Sequence, residues 1–274
     1  MKKKEKKKEI FRFSFFIKWL REKKWTSSMT LSLFDFMLIF KTEAFYVNQL
    51  LVFAELLLKP LIENWAKKTQ RAQLIDLRSK VESVYKVNCT LLQVLEQRLK
   101  SWMNNKNIGD VFMTIVPFLK IYRFCDRLFS ILFTFFNPKK IYSSSKTFEN
   151  VKKWRDYTIT YSSALPFFSK LLVDDSFVNF CGDLKNKHKE IRGDLSSYAI
   201  QPIQRVPRYE LLLRELLKET DKNHADYADI TKALNEVNSV AVFVNESISK
   251  SKNTLKLLEI QNLVQDPSVT NSFF

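Results

Sequence analysis

Glycine is scarce in this chain. Its 274 residues include three, Gly109, Gly182 and Gly193, and they lie far apart. Loops that cradle phosphates and turns that bind dinucleotides need glycines a few residues from one another. Tight hairpins favour them as well. Those architectures are therefore not expected. Histidine is scarcer still, with His188 and His224 alone, and neither has cysteines or carboxylates around it at metal-ligand spacing. No metal site or cofactor is expected. Cys89, Cys125 and Cys181 form no CxxC pair, which argues against a disulfide framework and for a reducing, cytoplasmic setting. No GxSxG or HExxH motif occurs, and without a nucleophile–base set a hydrolase lacks its chemistry. The longest uncharged run, 157–169, is shorter than the roughly 20 apolar residues of a membrane span. The stretch "IFRFSFFIKWL" after the basic start is interrupted by Arg12 and Lys18 and is followed by no small-residue cleavage site, so a secretory leader is not expected either.

What the chain does have is helical. Apolar residues make up 46%, enough for a substantial core. Leu50, Phe53, Leu57, Leu61 and Ile62 recur at helical spacing within one pattern over 36–67, with a kink expected at Pro60. A second helix is expected over 70–103, with Leu74, Leu77, Val81, Val84, Leu91, Leu92, Leu95 and Leu99 on its apolar face. "NNKNIGD" then reads as a turn with Asp110 as the N-cap of a short helix over 111–122. Further helical patterns run over 156–186, 189–220 and 224–256. The formal net charge of +16 suits a polyanionic partner, but much of the excess lies in "MKKKEKKKE", which also reads as a solvated tail. A weak contact with anionic membrane fits that charge. Nucleic acid does not, because no aromatic residues interleave with the basic run and no nucleic-acid motif is present.

One stretch breaks the helical rule. "SSYAIQPIQRVPRYELLLRELLKET" puts Pro202 and Pro207 into an amphipathic helix whose Leu212, Leu213, Leu216 and Leu217 share a stripe. A proline in a helix interior costs roughly 3 kcal/mol. The pattern predicts two bends that turn Gln204 and Arg208, neighbours at i and i+4, to one face. This stretch resembles the third conserved region of Dbl-homology domains, the exchange domains of guanine nucleotide exchange factors for Rho-family GTPases. "TEAFYVNQLLVFAELLLKPL", 42–61, resembles the first conserved region, and "IGDVFMTIVPFLKIY", 108–122, the second, in the right order.

The resemblance covers roughly 36–256 and implies an all-α, elongated bundle of about six helices. It implies exchange without bond chemistry: the domain grips the switch segments of a Rho, Rac or Cdc42-type GTPase and holds its nucleotide-free state. By motif, Glu43 would contact switch I, Arg208 and Asn245 would meet switch II, and Gln204 would stand one turn before Arg208. Glu43 and Asn245 are expected at the surface. Arg205 reads as structural, paired with a carboxylate inside the bundle. About two turns past Asn245, where the family often carries an acid, stand Ser251 and Lys252, so the resemblance does not name the GTPase. A helical scaffold that binds membrane or partner helices without exchange is the competing function. Residues 1–35 are a basic segment of atypical texture. Residues 257–274 form a tail that resembles the linker into a pleckstrin-homology domain. Residues 123–154 carry no clean period and read as an insertion, either a retained intron of an AT-rich gene or a lineage-specific loop.

Overall fold

The computed structural model describes residues 31–114 other than 103, residues 157, 161 and 164, and residues 166–265. The expected insertion at 123–154, the segment 1–30 and residues 266–274 lie outside the described residues. Those described are helical and contain no strand, as the all-α reading requires. Among the described residues, breaks divide the chain into more helices than the six or so expected.

Helix α1, Leu31–Val52, is apolar on nearly every side. Phe36, Ile39, Phe40, Val47 and Leu50 are all buried, so it runs through the middle of the core. It starts ahead of the expected residue 36 and continues into two π turns, Phe53–Leu58 and Leu61–Trp65, on either side of Lys59 and Pro60. Pro60 has no N–H for the ladder, and its ring crowds the preceding turn. The chain answers by widening to i→i+5 hydrogen bonds, from Lys59 N to Ala54 O and from Ala66 N to Leu61 O, the latter at 2.8 Å. By length and composition this segment could cross a membrane, but 67% of its apolar window is buried inside the bundle.

Helix α2, Lys68–Lys100, folds back along α1 and buries Leu74, Leu77, Val81, Val84, Leu91, Leu92 and Leu95 against it. Arg78 ties its N-terminal half to the first π turn, through Ala54 O at 3.1 Å and Glu55 Oε1 at 2.9 Å.

The next helix, α3, begins at residue 109 and is described to 114. Asp110 is not its N-cap as expected. It stands inside the first turn, where the Arg98 guanidinium donates to both its oxygens at 2.9 and 2.6 Å. The cap comes from far along the chain. The Asp226 carboxylate accepts from Ile108 N, and from Gly109 N at 3.0–3.1 Å. The approach is so close that a Cβ on Gly109 would lie 2.5 Å from Ile230 N. Only glycine fits there.

The single helix expected over 156–186 is divided. Helix α4 covers 166–172, and α5, Asp175–Lys187, starts afresh because Asp174 accepts from Ser176 N at 2.9 Å and Phe177 N at 3.3 Å. The stretch 189–220 is divided likewise into α6, Leu195–Ala199, capped by Asp194, and α7, Gln201–Glu219. This corrects the reading of the two prolines. Pro202 sits in the first turn of α7, where an N–H is not needed for the helical ladder, so its lack of one costs little. Only Pro207 lies inside the helix. Helix α8, Tyr227–Gln265, runs 39 residues, past the expected end at 256. At 1.5 Å per residue it is roughly 58 Å long. Its contact with α7 is the most extensive among the described elements, and α1 packs against both α2 and α7.

Candidate functional site

The site lies where α1 and α7 run side by side. Gln204 and Arg208, one turn apart on α7, are both exposed. They line an open hollow of about 440 Å³, whose opposite wall is Lys41, Thr42, Phe45 and Tyr46 of α1. Arg208 also borders a second hollow of about 480 Å³, formed with Leu38, Pro207, Leu211 and the carboxylates of Asp35 and Glu215. Phe45 and Leu211 are 54% and 55% exposed. The face therefore combines free hydrogen-bonding groups with bare apolar side chains, the composition of a surface that meets a partner.

Glu43 does not stand at the surface as expected. It is 0% exposed. Oxygen Oε2 accepts from Arg205 Nε at 3.1 Å, Arg205 Nη2 at 2.6 Å and the Tyr209 hydroxyl at 2.8 Å. Arg205 is the structural residue anticipated, 3% exposed and paired inside the bundle. Its guanidinium also donates to Thr42 Oγ1 at 3.3 Å and lies over the rings of Tyr209 and Tyr46, with centroids at 4.6 and 5.2 Å. Arg205 and Tyr209 reach one carboxylate because they are i and i+4 on α7. Burial pushes the Glu43 carboxyl up, while Arg205 and Tyr209 pull it down. With two guanidinium N–H groups on one oxygen, the pair is ionic. Burial raises the phenols of Tyr46 and Tyr209 well above their ordinary value, so both keep their protons.

Two polar atoms at this junction are buried without a hydrogen bond, Glu43 Oε1 and the Tyr46 hydroxyl. A third feature links the site to α2. The Tyr209 oxygen is 2.8 Å from Asn88 Oδ1, and Asn88 Nδ2 already donates to Val84 O at 2.8 Å. One phenolic proton thus faces two acceptors, Glu43 and Asn88.

Asn245 is exposed on α8 beside buried Val244 and lines neither hollow. The structure therefore brings Gln204 and Arg208 together, sets Glu43 beneath them behind Arg205 and Thr42, and leaves Asn245 on a neighbouring helix. Sequence reasoning missed Leu38, Phe45, Tyr46 and Leu211. For the three on α1 the signal was faint, because that helix is apolar on nearly every side and a periodic pattern cannot tell its open face from its buried ones, while Leu211 sat within a leucine run that reads as core. Among the described residues no group of three or more His, Cys, Asp or Glu could hold a metal ion.

The RhoGEF domain pattern matches residues 36–245. "Guanine exchange factor for Rac 30" of Dictyostelium discoideum is 32% identical over 82% of this chain and 11% of its own length. "Rac guanine nucleotide exchange factor JJ" of the same organism is 25% identical over 83% of this chain and 17% of its own. Mouse "FYVE, RhoGEF and PH domain-containing protein 4" is 27% identical over 81% of this chain and 25% of its own. The chain thus spans a quarter or less of the length of these relatives. The crystal structure of the DH domain of FARP2 superposes with a TM-score of 0.63 at 21% identity, covering 87% of this chain and 99% of that one. The DH/PH fragment of PDZRHOGEF, solved in complex with human RhoA, gives 0.62 at 17% identity, covering 86% of this chain and 60% of that one. These last two likenesses speak for the fold. With the family pattern spanning most of the chain, this protein belongs to the RhoGEF domain family.

Proposed function

We propose that this domain is a guanine nucleotide exchange factor for a Rho-family small GTPase, with Gln204, Arg208 and Asn245 as surface contacts and Glu43 acting from beneath them, through the Arg205 and Tyr209 side chains that it holds. The observation that carries this reading is the exposed Gln204–Arg208 pair, placed on one wall of a hollow whose rim is bare Phe45. The relatives named as Rac exchange factors and the DH domain solved with RhoA support the choice of partner. No bond is made or broken in such a reaction. The exchange factor accelerates nucleotide release by binding the empty GTPase more tightly than the loaded one, and a binder with equal affinity for both would shift nothing. The guanidinium of Arg208 carries several N–H donors and is always charged, so it suits backbone carbonyls or a carboxylate of the partner. The amide of Asn245 can donate and accept at once.

The test is release of a fluorescent GDP analogue from a panel of Rho, Rac and Cdc42-type GTPases, together with pull-down of the nucleotide-free and GDP-loaded forms. Accelerated release from at least one GTPase, with preference for its empty form, is expected. Binding of both forms alike without release would make the domain a scaffold and overturn the reading.

A further inference from the structure

We propose that Lys41 is a further contact residue for exchange: with Arg208 it forms a cationic clamp across the hollow between α1 and α7, and the clamp takes a carboxylate side chain of the GTPase. The inference rests on the exchange reading above and adds to it a residue that selects among GTPases by an acidic side chain.

The register of the two helices places the clamp. Thr42 and Glu43 of α1 meet Arg205 of α7, whereas Asp35, two turns earlier on α1, lies near Glu215 and Glu219. The helices are therefore antiparallel, and Lys41 stands level with Arg208. Both side chains are exposed, and both line the hollow of about 440 Å³. Among the described residues neither is paired with a carboxylate. The third cation of the hollow, Arg205, is committed to buried Glu43, so its charge is cancelled. Two uncompensated cations thus share one open hollow, with the amides of Gln201 and Gln204 on its α7 wall. Like charges across one hollow repel each other, and a carboxylate seated between them removes the repulsion. The bare ring of Phe45, one turn along α1 from Lys41, stands on the same face. A partner that covers this ring also shields the clamp from water, which strengthens the pairing.

The occupant is a protein carboxylate rather than the phosphate of an anionic membrane. On the other side of Arg208, the second hollow carries the carboxylates of Asp35 and Glu215, with Glu219 nearby. An anionic bilayer pressed on this face would meet those acids as well as the cations. A protein surface of mixed charge matches both signs at once.

The experiment is GDP release by the full chain as a function of GTPase concentration, for wild type, Lys41→Glu and Lys106→Glu. Lys106 lies in the exposed loop before α3 and lines neither hollow, so its reversal changes the net charge equally but away from the face. Lys41→Glu should raise the half-saturating GTPase concentration by roughly tenfold, because a surface attraction becomes a repulsion, and the ratio should shrink at high salt. Lys106→Glu should change it by less than about twofold. The melting curve of Lys41→Glu should overlay that of wild type; if it does not, Lys41→Gln is read instead, with a several-fold rise expected. Equal effects of the two reversals would reduce the clamp to general steering and overturn the proposal, as would wild-type saturation by Lys41→Glu. Replacing exposed carboxylates of the GTPase with lysine, one at a time, then locates the acid. One replacement should weaken the wild-type chain and restore Lys41→Glu, the non-additivity of a direct pair. If none does, no carboxylate enters the clamp and the proposal fails. Vesicles containing phosphatidylserine test the lipid source. Loss of vesicle binding by Lys41→Glu but not by Lys106→Glu, with GTPase saturation unchanged, would give the hollow to the membrane and overturn the proposal. Silence of the wild-type chain towards every GTPase of the panel would sink the exchange reading and the clamp with it, whereas unchanged release by Lys41→Glu sinks the clamp alone.

Discussion

Glu43 has no exposed surface, and its Oε2 carries the Arg205 guanidinium at 2.6 Å, so Glu43→Ala would leave that guanidinium buried without its counter-ion. Removing one member of a buried pair costs roughly 3–5 kcal/mol. The variant should melt well below wild type, by on the order of 10 °C for a domain of this size, and its lost exchange would say little about contact. Arg208→Ala and Asn245→Ala are the cleaner probes. Both side chains are exposed, and surface changes usually stay within about 0.5 kcal/mol. Each should slow GDP release while its melting curve overlays that of the parent. An Arg208→Ala variant with undiminished release would remove that residue from the site. The contrast also marks what could be read in advance. That Gln204 and Arg208 share one face was legible from i, i+4 spacing, while the resemblance alone singled them out as partner contacts. The burial of Glu43 was not, because its partner lies 162 positions away and α1 offers no polar face to place it on. Arg205 was legible as a structural cation paired inside the bundle, but the identity of its partner, Glu43, was not.

Capping aspartates decide where several helices begin. Asp174 and Asp194 accept hydrogen bonds from Ser176 and Ser197 and from the backbone amides of the following turn, which hold both carboxyls below their ordinary value of 3.8. A carboxyl depressed in the folded state adds stability that is complete above its unfolded value and is lost as pH falls through the folded one. Burial raises Asp226 and Glu43 instead, so acid relieves part of their cost and works in the opposite sense. Asp194→Asn separates the two effects, since asparagine caps about as well but does not titrate. Its melting midpoint should match wild type near neutral pH, and the wild-type midpoint should fall faster below about pH 4. Parallel acid profiles would show that the Asp194 charge adds nothing. These same caps explain two of the missed breaks. "DDS" and "DLSS" carry the Asp-before-Ser signature of the starts of α5 and α6, which a search by period passes over, whereas the break at Ile200 before α7 has no side-chain cap and no such signal. The cap of α3 was beyond such a search, because Asp226 reaches it across 117 positions.

At the scale of the whole molecule, the bundle is anchored on both sides of 123–154. Val111 and Phe112 are buried before that segment. After it, Tyr157 is buried with its hydroxyl donating to Ala199 O at 2.5 Å. We therefore propose that 123–154 is an insertion, and deleting it should leave a domain that unfolds cooperatively in a melting experiment and keeps its exchange activity. Long surface insertions add little closure entropy, while the apolar run "LFSILFTFF" adds an aggregation hazard. A deletion variant that loses cooperative unfolding would make the segment integral to the domain. A different kind of length change has its own place in the fold. Anywhere in an α-helix, loss of one codon rotates every later side chain by roughly 100°. The π turn at Phe53–Leu58 holds one residue more than an α turn. Losing a residue there would convert it to an ordinary turn and leave the faces of α1 and of the hairpin into α2 where they are. The second π turn, Leu61–Trp65, has the same property, so the stretch around Pro60 offers two places where a single residue can be shed without re-registering its neighbours.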